Sequence, residues 1–368
     1  MSDTPDTTAQ HAVLADAFDR DLDPLAEFAP VFETADADPF GMFVTDVLDA
    51  RDLVPKTREH YERTFRQWSE FMAGEGRHPA CPNTEHVQRY IRHRLTEKGN
   101  QPQTVKDKLK RLNAAYEWWQ DEPSFPHPTD FNPFGAARSK VSLEGDGPKE
   151  PPRLSVDELR GILDGVTNVR NQAIITAQLK LGLRSSELCN IKLADLSLGN
   201  SEAEQHFPDM GTNPGLDGRE NVLYVPHDRE RNKSTRPRVL PLDDETRRVL
   251  LRYLLVRPDA GEPWLFLGTN DHGQMHRGGV LEIWQDVFLP EFAETERYRA
   301  ITPHFGRHRF TTWWTVEQDA PREQVKYMRG DATGGTSLDD RGAIDHYIHS
   351  YYEDIEDLYR ENIYKLGV

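Results

Sequence analysis

The sequence predicts a mainly α-helical chain with one small β-sheet, divided into a helical N-terminal domain and a larger α+β C-terminal domain. Three observations carry this. Apolar side chains recur at spacings of three and four between Tyr61 and Trp119, the period of helices that bury one face. Two short stretches, Asn221–Val225 and Arg238–Leu242, are bounded by turn residues and read as strands. Between the two regions, Ser139–Pro152 holds Gly145, Gly147, Pro148, Pro151 and Pro152, the composition of an interdomain linker.

Taken in order, residues 1–38 are rich in Asp, Ala, Thr and Pro and read as a mobile acidic arm, with room for a helical piece at Ala12–Phe18. Residues 40–140 read as the helical domain. Pro55 and Thr57 open a helix with Tyr61, Phe65, Trp68 and Met72 on its apolar face, and Gly74 and Gly76 end it. Thr84 starts a second helix with Val87, Ile91 and Leu95, ended by Gly99. Thr104 caps a third, with Val105, Leu109, Leu112, Tyr116 and Trp119 inward. That helix also carries Lys106, Lys108, Lys110 and Arg111, whose ordinary reading is a solvated face. F-N-P-F at 131–134 ends the domain, and residues 141–152 form the linker core.

Residues 153–368 form the second domain. Ser155 and Glu158 make a capping box, and a helix follows near Val169–Leu179. In L-G-L-R-S-S-E-L at 181–188, Gly182 breaks that helix, Ser185 or Ser186 caps the next, and Arg184 sits in the turn. Residues 200–220 read as a polar surface insertion. The hairpin loop R-E-R-N-K-S-T-R places Lys233 near its tip. A helix runs from Asp243 to about Val256, Trp264–Leu267 reads as a third strand, and helices follow at Leu281–Phe288, Phe305–Glu317 and Gln324–Met328. The last helices carry Tyr347 and D-L-Y-R-E-N-I-Y-K-L.

Composition narrows the function classes. The 368 residues suit two or three domains. No apolar run approaches the ~20 residues of a membrane span, and the acidic N-terminus lacks the features of a signal peptide. Cys81 and Cys189 show no metal-ligand spacing, which fits a reduced, cytoplasmic setting. The net charge of −17 ordinarily argues against a nucleic-acid partner, but its distribution is uneven. Residues 1–40 hold ten Asp/Glu and one Arg; residues 51–140 hold 16 Lys/Arg and 12 Asp/Glu; residues 141–368 hold 28 Lys/Arg and 38 Asp/Glu. One basic segment therefore lies inside an acidic protein. Such a surface also suits a protein built for high salt, where screening within ~3 Å removes long-range attraction.

Four stretches carry chemistry. His304, Arg307 and His308 fall on one side of a helix. A guanidinium beside imidazoles is a poor core element but a good oxyanion clamp. With the tyrosines of A-I-D-H-Y-I-H-S-Y-Y downstream, the pattern suggests phenol attack on a phosphodiester. Arg184 and Arg307 can each bind a non-bridging oxygen and stabilise the added charge of a phosphorane-like state. Lys233 can protonate a departing oxygen, and His304 can take the phenol proton or bind phosphate. Each residue alone also has a bland reading: a cap, a solvated tip, a salt bridge. There is no Gly-rich phosphate loop and no zinc or H-E-x-x-H spacing.

These four stretches, L-G-L-R-S-S-E-L, N-K-S-T-R-P-R-V-L-P-L, P-H-F-G-R-H-R-F and Y-I-H, resemble in order and separation the tyrosine recombinase, or phage integrase, family, of the Xer type and, given the acidity, a halophilic archaeal member. The resemblance covers residues ~40–365. It implies an N-terminal core-binding (SAM-like) helical domain and a C-terminal catalytic domain. It implies site-specific recombination or integration of double-stranded DNA through a covalent 3′-phosphotyrosyl intermediate. Arg184 and Arg307 would clamp the phosphate, Lys233 would act as general acid to the 5′-hydroxyl, and His304 would be the motif histidine. Tyr347 would be the nucleophile and Glu187 a supporting acid, with His308 beside the site. Lys106, Lys108, Lys110 and Arg111 would contact DNA. The family needs no metal and no nucleotide cofactor, and works as a homo-tetramer on two duplexes from free monomers or dimers, away from membranes.

The pattern departs in one place. The family carries His or Trp ahead of the nucleophile, where Y-M-R-G-D puts Asp331, and the following A-T-G-G-T-S-L-D-D-R-G lengthens the gap to Tyr347. Tyr351 and Tyr352 are therefore rival nucleophiles. Asp331 is expected to point away and pair with Arg329 or Arg341; alternatively it is protonated, or His346 or His349 supplies the donor. A DNA-binding relative with weak catalysis and a type IB topoisomerase-like enzyme are the competing readings.

Overall fold

The computed structural model describes residues 13–18, 21–35, 37–51, 55–140, 149–331 and 351–368, with no side chains described at 138–140. The chain divides into two compact units, Met1–Gly147 and Pro148–Val368. Among the described residues, no helix is long and apolar enough to cross a membrane.

The first unit is helical: α1 Ala29–Thr34, α2 Pro39–Phe43, α3 Pro55–Gly74, α4 Thr84–Arg92, α5 Pro102–Asp121 and α6 Pro133–Lys140. Its core is rich in aromatics, with Phe65, Trp68, Tyr90, Tyr116, Trp119 and Phe134 buried. The start signals differ in detail from expectation. Asn83, not Thr84, caps α4 in a capping box with His86, and α5 starts at Pro102, ahead of Thr104, where the ring's fixed φ and missing N–H cost nothing. F-N-P-F opens a helix instead of closing the domain: Asn132 Oδ1 accepts from the Phe134 and Gly135 amides, and Phe134 and Ala137 are buried.

The acidic arm expected through residue 38 is corrected from residue 21 onward. Leu25 and Ala29 are buried and Phe32 stacks on His78 at 5.0 Å. Asp23 pairs with Arg77 at 2.7 Å and accepts from Asn83 Nδ2 at 2.9 Å. Leu25, Ala29 and Phe32 are spaced four and three apart, a helical period that the surrounding acids obscure.

The second unit is built around α8 Val169–Leu181, in which every residue from Gln172 onward is buried. Ahead of it lies α7 Val156–Asp164, opened by the Ser155–Glu158 capping box. Then come α9 Ser185–Cys189, β1 Leu196–Ser197, α10 Ser201–His206, β2 Val222–Val225, β3 Arg238–Pro241, α11 Asp244–Leu254, α12 Arg277–Phe292, α13 Pro303–Thr312, α14 Arg322–Arg329 and α15 Tyr352–Asn362. The sheet is antiparallel in the order β1-β2-β3, with Leu196 opposite Leu223 and Val225 opposite Arg238. The third strand is thus β1. Trp264 and Leu267 form only isolated bridges, to Lys192 and Gln274. The 200–220 insertion is partly anchored, since Met210 and Leu216 are buried.

Two contacts place the site. Gly306 lets α13 lie against α8, because a Cβ there would come 3.2 Å from the Gln178 carbonyl. Lys180, fully buried, pairs with Asp243 at 2.7 Å and Glu245 at 2.6 Å, tying α8 to α11.

Candidate active site

Gly182 ends α8 in the left-handed conformation, φ 62°, with its added Cβ only 2.6 Å from Phe310. Only glycine fits both demands. The turn presents Arg184, which is itself the residue that precedes α9; neither Ser185 nor Ser186 caps it. The Arg184 amide donates to Glu187 Oε2 at 2.8 Å, and its Nη1 donates to Glu187 Oε1 at 2.9 Å.

Glu187 is completely buried, and so is its second partner, Arg238, whose Nη2 lies 3.0 Å from Glu187 Oε2. The Ser234 hydroxyl also donates to Glu187. Burial by itself would raise the Glu187 pKa. Arg238, the Ser234 hydrogen bond, Arg184 and Arg307 outweigh it and bring the carboxyl down to about 2. Arg238 in turn donates to the Met328 carbonyl at 2.8 Å and to Ser234 at 3.0 Å. It is the residue that the motifs missed; the signal was a charged side chain inside the R-V-L-P strand, whose four positions are all buried.

Arg307, on the inner face of α13, is nearly as enclosed. Its Nη1 donates to the Gly182 carbonyl at 2.8 Å and its Nη2 to the Arg329 carbonyl at 2.9 Å. Burial, then the neighbouring Arg184, lowers its pKa to about 9, so it stays protonated at neutral pH. His304 and His308 share one side of α13 as expected, with rings 4.4 Å apart and edge to face. Desolvation, then His308, Arg299, Arg307 and Arg329, brings His304 down to about 4, although the residue as a whole is exposed. Its imidazole is neutral at pH 7.

Asp331 does not point away. Gly330, φ 65°, closes α14: its amide donates to the Tyr327 carbonyl at 2.9 Å and the Asp331 amide to the Lys326 carbonyl at 3.0 Å, the paired bonds of a Schellman motif. This aims the carboxylate inward. Oδ1 accepts from Arg184 Nη2 at 2.9 Å and from Arg307 Nη2 at 2.8 Å, while Oδ2 lies 2.8 Å from Arg329 Nε. The expected Arg329 partner is there, but Arg184 and Arg307 hold the same group. Arg341, His346 and His349 lie outside the described residues.

Arg184, Lys233, His304 and Arg307 line one cavity of about 520 Å³, together with Arg277, which the sequence had not marked. Lys233 is exposed on the β2–β3 loop. Tyr347 lies outside the described residues. Of its rivals, Tyr351 is exposed, whereas Tyr352 is buried against Leu216, Val222 and Val239. Burial, then a hydrogen bond with Glu356, pushes the Tyr352 phenol up to about 12, which disfavours the phenolate. Among the described residues, no group of three His, Cys, Asp or Glu is placed to hold a metal ion.

In the first unit, Lys106, Lys110 and Arg111 reach the surface of α5 at least in part. Lys108 does not, which corrects its place on the solvated face: it is buried and donates, with buried Arg94, to the single oxygen Gln67 Oε1. Desolvation, then Arg94, Arg63 and Arg111, lowers the Lys108 pKa to about 8.

The profile of the phage integrase family matches residues 152–334. Tyrosine recombinase XerD of Oceanobacillus iheyensis is 28% identical over 53% of this chain and 60% of its own length. Tyrosine recombinase XerC of Pelobacter propionicus is 24% identical over 78% of this chain and 84% of its own. In three of the curated relatives the match spans 57%, 60% and 64% of the relative's length. Among solved structures, the Tn1549 transposon integrase in complex with transposon right end DNA superposes with a TM-score of 0.60 at 18% identity, over 86% of this chain and 97% of that one. A lambda integrase dimer bound to a core site gives 0.56 at 13% identity, over 84% and 93%. The fold, the motifs and these matches together show that residues 152–334 form a phage integrase family domain, in a chain similar to tyrosine recombinases.

Proposed function

We propose that the protein is a site-specific DNA recombinase that cleaves and rejoins strands through a covalent 3′-phosphotyrosyl intermediate. The observation that carries this is the convergence of Arg184, Lys233, His304 and Arg307 on one cavity. In the forward step the Tyr347 phenol oxygen attacks phosphorus and the bond to the 5′-oxygen breaks. The phenol proton passes to neutral His304, and the departing 5′-oxygen takes a proton from Lys233. Arg184 and Arg307 hold the non-bridging oxygens as negative charge builds, and Glu187 with Arg238 keeps Arg184 in place. In the reverse step a 5′-hydroxyl attacks the phosphotyrosine and restores the phosphodiester, so the bond energy is conserved.

The partner is double-stranded DNA, gripped by Lys106, Lys110 and Arg111 of the first unit as well as by the cavity, with four copies acting on two duplexes. The acidic excess suits work at high salt. A binding-only relative is the second reading, favoured by the Asp331 carboxylate between the two arginines. One experiment separates them. The protein is incubated with genomic DNA, denatured, and the DNA covalently held to it is sequenced. Adducts at recurring sites, lost in Tyr347→Phe, are expected; DNA recovered only before denaturation would leave the binder.

A further inference from the structure

Two carboxylates touch Arg184, and they are held in opposite ways. Glu187 is sealed inside with Arg238 and Ser234 and has nowhere to go. Asp331 is 28% exposed, and its two oxygens face different partners. Oδ1 receives two guanidinium N–H bonds, from Arg184 at 2.9 Å and Arg307 at 2.8 Å. Two arginines converging on one oxygen is an arrangement that suits a non-bridging phosphate oxygen as well as a carboxylate. Oδ2 lies 2.8 Å from Arg329 Nε, on the far side of the carboxyl group, and Arg329 is anchored by Nη1 to Thr311 Oγ1 at 3.0 Å. A phosphodiester and a carboxylate cannot share the point, because both are anionic and acceptor-only.

We propose that Asp331 is an exchangeable positioning residue. In the free protein its carboxylate stands in the seat of a phosphate oxygen and keeps Arg184 and Arg307 converged there. When a phosphodiester enters, Asp331 gives up the shared oxygen and falls back on Arg329. The step moves no covalent bond; hydrogen bonds are exchanged between two anions. The held amide supports this, since the Schellman motif at Gly330 ties the Asp331 N–H to the Lys326 carbonyl and makes no demand on the side chain. The inference rests on the recombinase reading for the identity of the incoming anion, not for the existence of the seat.

The probe is inorganic phosphate, which needs no knowledge of a DNA target. Its binding to the full chain is followed by phosphorus NMR at fixed ionic strength. Asp331→Ser, which empties the seat, should bind phosphate about 10-fold more tightly than the parent, and adding Arg307→Lys should abolish the gain. Arg329→Gln should weaken phosphate binding in the parent, where it removes the fallback, and leave it unchanged in the Asp331→Ser background. Unchanged or weaker binding by folded Asp331→Ser, or a gain that survives Arg307→Lys, overturns the proposal. If the Ser variant does not fold, Asp331→Asn, which keeps a carbonyl acceptor, carries the same test with a gain of the same sign. A phosphate gain without covalent DNA adducts would discard the recombinase reading and keep the exchange; adducts without the gain would do the reverse.

Discussion

Arg238 and Glu187 face each other with no solvent contact on either side chain, Nη2 to Oε2 at 3.0 Å. The pair is the foundation under Arg184, and breaking it strands a buried charge. Glu187→Gln is expected to destabilise the second unit by about 3–5 kcal/mol, read from urea midpoints. The pH dependence has a definite sign. The folded pKa is depressed from 4.5 to about 2, so the stabilisation is fully present above about pH 4.5 and is lost as pH falls toward 2. Glu187→Gln should flatten the acid limb of the stability curve; an unchanged acid limb would show that Glu187 does not carry it.

Gly182 serves both arginines through one backbone conformation. Its φ of 62° turns the chain toward Arg184, and its carbonyl receives Arg307. Gly182→Ala meets the left-handed penalty of about 1–2 kcal/mol and a contact with Phe310 at 2.6 Å. The expected result is a lower melting temperature together with loss of covalent adduct. Wild-type melting and adduct formation would mean that the turn tolerates a side chain.

On α5, surface and buried cations should behave oppositely. Replacing Lys106, Lys110 and Arg111 with Ala should weaken duplex binding alike for all sequences and lower the salt slope by about 3. Lys108→Met should instead stabilise the first unit. The folded Lys108 pKa of about 8 lies below its ordinary 10.5, so the parent gains stability as pH rises from about 8 to 10.5, and the Met variant should lose that rise. A salt slope unchanged by the triple replacement would return these side chains to an ordinary solvated face.

Among the tyrosines, Tyr347→Phe should bind DNA and form no adduct, whereas Tyr352→Phe should still form one, because the Tyr352 ring packs inward and its phenol is pushed up to about 12. Mass spectrometry of the trapped peptide decides the matter; a phosphotyrosine at Tyr351 or Tyr352 would reassign the nucleophile.

Limited proteolysis should cut first within Ser139–Pro152 and release two folded fragments, since the contact division of the chain falls at Gly147 and Pro148. Earlier cutting inside residues 153–331 would move the boundary.

What the sequence alone determined was local. Helical periods placed α3, α5, α8 and α11 to within a few residues, because apolar spacing is a property of neighbouring positions. Gly182 was legible as a stop, because left-handed backbone is a one-residue demand, whereas the same role of Gly330 went unread. The ordered motifs picked out Arg184, Lys233, His304 and Arg307 before any geometry was known. What only the tertiary structure decided was pairing across distance. Lys108 looks like any surface lysine until α5 packs its face inward beside Arg94. Arg238 looks like a misplaced charge in a strand until Glu187, 51 positions away, meets it. Asp331 was expected to find one arginine and found three, because the turn after α8, the inner face of α13 and the C-terminal end of α14 meet there. Burial and long-range Coulomb partners belong to the packed chain, and no window of sequence contains them.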